Sequence, residues 1–174
     1  MKKYFTILLV AILGFVVVSC TRTNDVQTVD NDTYSVVYDL KNQSFVKNTT
    51  TNVYEIYKQF NNPIYSSDVI LIFRQNGTSN GNPIWQSIPR TLFLTQGELD
   101  YDFDFTKADI LIKAGGTIDF STQTQAFKDT YLNGQTFRVV IVPASFGKNA
   151  NVDLTDYESV IKFYNIDESK VKSL

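Results

Sequence analysis

The apolar positions of this chain change pattern twice along its length. From Tyr4 to Val18 they run together, broken only by Thr6 and Gly14. Residues 21–33 are polar with no sustained period, so they read as a flexible tether. From Tyr34 onward, short stretches rich in Val, Ile, Tyr and Phe are separated by Asn-Gly and Pro punctuation, which is strand composition. The pattern predicts strands near 34–40, 53–60, 68–74, 83–88, 91–95, 98–105, 109–113 and 136–142. The runs 69–73 and 139–142 are apolar without interruption, as expected of central strands covered on both faces. Asn76-Gly77 and Asn133-Gly134 supply the positive φ that tight turns demand. Pro89 divides 83–95 into two strands or kinks a single one.

Helical spacing occurs near the end. Tyr157, Val160, Ile161 and Tyr164 follow the i, i+3, i+4, i+7 rule of an apolar stripe. Thr155 and Glu158 stand where a capping box needs them, so a helix is expected near 155–165. A second short helix fits residues 122–132. The implied fold class is mainly β, an antiparallel β-sandwich (Ig-like or related) with a short C-terminal helix; α+β is the alternative. Residues 34–174 are expected to form a single domain.

The apolar run at the start has a different meaning. Lys2 and Lys3 precede it, and it falls short of the roughly 20 apolar residues a membrane-spanning helix needs. A charged start, a short greasy core and a small residue before a cut are the parts of a secretion signal, here residues 1–19. The signal ends in Val17-Val18-Ser19-Cys20, which resembles the lipobox of bacterial lipoproteins. That resemblance implies a diacylglycerol and an N-acyl chain on Cys20, the covalent lipid being the expected prosthetic group. Several acyl chains are needed for lasting attachment, because one alone binds only marginally. Thr21, in place of an aspartate, points by the same resemblance to the outer membrane. The face on which the domain sits stays open.

Two counts narrow the chemistry. The chain has no histidine, which removes Ser-His-Asp and Cys-His catalysis and His-ligated zinc. Its one cysteine is Cys20, so disulfides and thiol redox chemistry go as well. Charge adds a third exclusion. Of 16 basic residues, 14 remain once Lys2 and Lys3 are set aside, against 18 acidic, a formal charge of −4. A mildly acidic domain has no electrostatic reason to bind nucleic acid.

The remaining candidates are few. In Glu98-Leu99-Asp100-Tyr101-Asp102-Phe103-Asp104-Phe105 the alternation is strict, so the acids share one strand face and the apolar side chains the other. Asp100, Asp102 and Asp104 are hard oxygen donors suited to calcium. The plainer reading is a solvated face whose repulsion is relieved by Lys or Arg on neighbouring strands. Two such acids are also spaced like the pair of an inverting glycosidase, about 6.5–9.5 Å, but a common exposed face raises neither pKa. Trp85, the sole tryptophan, suits either core packing or stacking on a glycan.

Three stretches, Ile84-Trp85-Gln86-Ser87-Ile88-Pro89, Glu98 to Thr106 and Thr136 to Pro143, follow the lipobox in order. Together they resemble a family of small flavobacterial-type (Bacteroidota) cell-envelope lipoproteins, over roughly residues 67–145. The resemblance implies an envelope role and carries no catalytic residues. The expected function is therefore a non-catalytic outer-membrane lipoprotein, a binding or accessory component of an envelope assembly with a protein partner. A carbohydrate- or calcium-binding module is the alternative, and an acid-based hydrolase a remote one.

Overall fold

The computed structural model describes residues 35–143 and 152–174. The signal, Cys20 and the tether predicted from sequence lie outside these residues.

Strands β1 (Val36–Gln43), β2 (Val46–Lys47), β3 (Tyr54–Gln59), β4 (Val69–Ser79), β5 (Asn82–Ile88), β6 (Arg90–Leu94), β7 (Gly97–Phe105), β8 (Asp109–Gly116), β9 (Gln135–Val142) and β10 (Lys172–Ser173) follow in order. Helix α1 (Gln125–Tyr131) lies between β8 and β9; helix α2 (Tyr157–Phe163) and a 3-10 turn (Glu168–Lys170) precede β10. The strands form two five-stranded sheets. Sheet A has the order β10-β1-β9-β4-β5 and sheet B the order β2-β3-β8-β7-β6. Every pairing is antiparallel except β10 with β1. The fold is mainly β, a sandwich with a C-terminal helix.

The chain moves between sheets where its sequence interrupts a strand. β5 is the edge of sheet A and β6 the edge of sheet B, and the chain turns from one to the other at Pro89, after a cis Ile88–Pro89 peptide. Proline has no N–H to give a ladder, which favours ending β5 before Pro89.

The inner faces meet in one apolar core. Leu40, Ile70, Ile72, Ile88, Phe137, Val139 and Ile141 of sheet A face Ile56, Leu99, Tyr101, Ile110, Ile112 and Ala114 of sheet B. α1 closes one end of it with Phe127 and Tyr131, its first turn capped by Thr124, whose hydroxyl accepts from the Phe127 amide. A second core lies on the other side of sheet A. Val37, Phe73, Val140 and Val142 pack there against Tyr157, Val160 and Tyr164 of the α2 segment. β9 is thus covered on both faces, which is why its residues 139–142 are apolar without alternation. Fully burying a side chain such as Val160 is worth about 1.5–3 kcal/mol. α2 is a third layer, and more than an appendage.

Two local expectations are corrected. The N-cap of α2 is Asp156, whose carboxylate accepts from the Ser159 amide, and not Thr155. Thr155 is held by Asp153 instead, its amide and hydroxyl both donating to that carboxylate. A carboxylate also suits the positive end of the helix dipole better than a hydroxyl. Asn76-Gly77 lies inside β4, where the register with β5 shifts between Gln75 and Thr78, so it forms a bulge and not a hairpin turn. The hairpin is made by Asn80-Gly81, both at positive φ (51° and 83°). Gly134 (φ 60°) leads the chain from α1 into β9.

Candidate functional site

Sheet B differs from sheet A in what lies outside it. β7 alternates as its sequence predicts: Leu99 and Tyr101 are fully buried, while Glu98, Asp102 and Asp104 are exposed and Asp100 half-buried. Antiparallel register then sets the neighbours. Asp102 faces Lys113 on β8, which faces Glu55 on β3. Asp104 faces Leu111, which faces Tyr57. The outer face of sheet B thus presents Glu55, Glu98, Asp100, Asp102, Asp104 and Asp109 around Lys113.

Asp100, Asp102, Asp104 and Asp109 each have a local partner. Lys113 Nζ donates to Asp104 Oδ2 at 2.8 Å and stands 3.8 Å from Asp102 Oδ2. The hydrogen bond to Asp104 raises the lysine's pKa against the smaller penalty of burial, so the ammonium stays charged. Asp100 accepts from the Thr91 hydroxyl. Tyr57 donates to Asp109 Oδ2 at 3.0 Å, which pushes the phenol's pKa up. Lysine therefore occupies the position a bridging cation would need between Asp102 and Asp104. Among the described residues no group of three or more His, Cys, Asp or Glu side chains is placed to hold a metal ion. We expect Asp102→Asn to change stability by no more than about 0.5 kcal/mol, and millimolar calcium to leave the melting temperature unchanged. A rise with calcium that disappears in Asp102→Asn would restore the metal reading of Asp100, Asp102 and Asp104.

Apolar side chains interrupt this acidic face. Phe93, opposite Glu98, is 80 % exposed, and Val46, opposite Glu55, is 71 % exposed. Tyr57 is exposed as well, at 59 %.

Trp85 lies elsewhere. It is half-buried on the outer side of sheet A, packed on the Tyr157 ring with centroids 5.6 Å apart and lying under the Arg138 guanidinium at 4.5 Å. One of its faces is thus occupied by protein.

Arg138 centres a polar knot that pattern reading missed. It is 8 % exposed and stands directly across from Asp39, likewise 8 % exposed. Its Nε and Nη2 donate to the two Asp39 oxygens at 2.7 and 3.0 Å, a fork-to-fork pair. Its Nη1 donates to the Tyr157 hydroxyl and, at 2.7 Å, to Glu168 Oε1. Burial works against its charge, but the bonds to Asp39 and Tyr157 outweigh it and the arginine's pKa rises. The knot ties β1, β9, α2 and the 3-10 turn together. Burial, then the bond to Glu168, pushes the Tyr157 phenol above its ordinary value of 10. Its contribution to stability is complete below pH 10 and is lost as pH rises through the folded-state value. The signal for the knot was present in the sequence, as one charge within each of two apolar strands, Val-Val-Tyr-Asp-Leu and Phe-Arg-Val-Val-Ile-Val.

Arg74 is a second buried arginine, on the inner face of sheet A. Its Nε and Nη2 donate to Gln135 Oε1 at 2.9 and 2.6 Å, and Nη2 also donates to the Thr130 carbonyl at 3.2 Å. Its guanidinium lies 4.8 Å from the Tyr101 ring. Burial pushes the Tyr101 phenol up to about 12, Arg74 opposing the shift, and the hydroxyl donates to the Tyr131 carbonyl. Both arginines bond to the protein's own groups and serve the fold.

Compared with protein families, with curated proteins and with solved structures, the chain matches none.

Proposed function

We propose that this chain is a non-catalytic outer-membrane lipoprotein, anchored through acyl chains on Cys20, whose domain binds a protein partner as an accessory component of an envelope assembly. The observation that carries the binding role is the inequality of the two sheet faces. The outer face of sheet A is closed by α2, while that of sheet B is open, acidic and set with Phe93 and Tyr57. The anchor rests on the Val17-Val18-Ser19-Cys20 box, its lysine-led apolar run, and the occurrence of the sole cysteine at the acceptor position. No helix among the described residues is long and apolar enough to cross a membrane. The absence of histidine and of a second cysteine favours binding over catalysis.

One experiment in the native membrane tests both parts. Labelled fatty acid is incorporated into the wild-type protein and lost in Cys20→Ser, since only the thiol accepts diacylglycerol. A photo-crosslinking residue at Phe93 gives a discrete protein adduct that the same residue at Trp85 does not. Label retained by Cys20→Ser would remove the anchor, and equal adducts from both sites would remove the sheet B interface.

A further inference from the structure

Among the described residues the two sheets end in four edge strands, β10 and β5 of sheet A and β2 and β6 of sheet B. An edge strand carries a row of backbone N–H and C=O groups with no strand to pair with. Folded proteins blunt such edges by brevity, proline, bulges or charge. Three of these four are blunted. β10 and β2 are two residues long, each with a lysine. β5 carries Pro83, its register with β4 shifts between Gln75 and Thr78, and its Trp85 packs on Tyr157 of α2. β6 has none of these devices. Its five residues, Arg90–Leu94, pair with β7 without a register shift, contain no proline and carry one charge, at the first position. Leu92 and Leu94 lie half-buried against the inner core, while Phe93 on the outer side is 80 % exposed.

We infer that β6 pairs along its open edge with an extended segment of a protein partner in which basic side chains alternate with apolar ones. The two faces of β6 select the two halves of that pattern. On the inner side, apolar side chains of the added strand cover what Leu92 and Leu94 leave open to water. On the outer side, Thr91 stands opposite Asp100 and Phe93 opposite Glu98. Arg90 alternates with the leucines and so lies off the outer face, where β6 and β7 together present acids and no cation. Asp100 already accepts from the Thr91 hydroxyl, while the Glu98 side chain is exposed. A lysine or arginine on the added strand lies beside the Phe93 ring, where a cation is attracted to the π face, and reaches past it toward Glu98. A second copy of this chain would instead bring carboxylates alongside carboxylates, so charge selects a basic segment.

This deepens the sheet B interface proposed above and rests on it, and the test separates the two. The mature full chain in detergent is titrated with an acetylated, amidated peptide of alternating lysine and valine, Lys-Val-Lys-Val-Lys-Val-Lys. Calorimetry reads the affinity, and hydrogen exchange reads the backbone of β5 and β6. We expect the peptide to slow exchange across residues 90–94 and to leave 82–88 unchanged. The same peptide with its backbone amides methylated keeps its charge, loses its donors and does not bind. Glu98→Lys and Phe93→Lys, both at exposed side chains, each weaken binding by roughly tenfold or more. Failure of the lysine peptide to bind overturns the inference, and so does equal binding of the methylated peptide, which marks attraction to the acidic face alone. Protection of every β6 amide before peptide is added overturns it too, in favour of this chain's own cover or, if it grows with protein concentration, of a second copy. Where any of these results accompanies a discrete adduct from the crosslinking residue at Phe93, the sheet B interface stands without strand addition; loss of that adduct as well removes both.

Discussion

Replacing Arg138 by Met is expected to destabilise the domain by about 3–5 kcal/mol, because it leaves a carboxylate buried without its cation. Asp39 is 8 % exposed and accepts both arms of the guanidinium, and the exposed Lys41, 3.9 Å from its Oδ2, is too loosely placed to replace that fork. Glu168, half-exposed at 51 %, returns to water, and Tyr157 keeps its bond to Glu168. The deficit therefore falls on Asp39. Replacing both members, Asp39→Leu with Arg138→Met, recovers most of the loss, since an apolar pair of similar volume has no charge to desolvate. Urea unfolding of the wild type, the two single variants and the double variant measures this cycle. A single-variant loss below about 1 kcal/mol would mean that the knot is open to water and contributes like a surface pair.

The next largest effect belongs to a glycine. Gly116 has φ +110°, and a Cβ built there would lie 2.3 Å from the Glu98 carbonyl oxygen and 3.0 Å from its carbon. Both obstacles are backbone of the paired strand β7, which has nowhere to go without leaving the ladder. Gly116→Ala thus combines backbone strain with overpacking, together about 3 kcal/mol or more. Gly115 is the control. A Cβ at that position meets nothing within 4 Å, so Gly115→Ala is expected to stay within about 1 kcal/mol of the wild type. Thermal melts of the two variants decide the matter. Equal losses would show that the β7–β8 pairing adapts.

The strands were legible because β7, β8 and β3 are covered on one face only, and a half-buried strand writes its burial as alternation. β9 and the first half of β4 are covered twice, and their unbroken apolar runs announced that without naming the cover. That cover is α2, whose apolar stripe was visible, but nothing local says that a stripe at 157–164 meets Phe73 and Val140. β2 and β10, two residues each, are too short to carry a period. The cap of α2 was misplaced because two aspartates compete for neighbouring hydroxyls, Asp153 taking Thr155 and Asp156 taking Ser159. Asn76-Gly77 and Asn80-Gly81 have the same turn-forming chemistry, and the choice between bulge and turn depends on pairing with β5, a non-local contact. The acids of β7 were placed correctly on one face, and Lys113, the cation between two of them, came from a strand whose register the sequence does not state.

The pairing of Asp39 with Arg138 also has a mechanical side. A pull entering at residue 35 runs along β1, whose bonds to β9 lie across the direction of the pull. Those bonds are loaded side by side in shear, and the strand cannot be peeled away one bond at a time. The guanidinium fork rivets β1 to β9 at directly opposed residues, in the middle of the loaded stretch. β10 grips the other edge of the same strand at Tyr38 and Asp39. A pull at residue 35 is thus taken by a strand paired along both of its edges, and the domain should resist forced extraction better than its thermal stability alone would indicate.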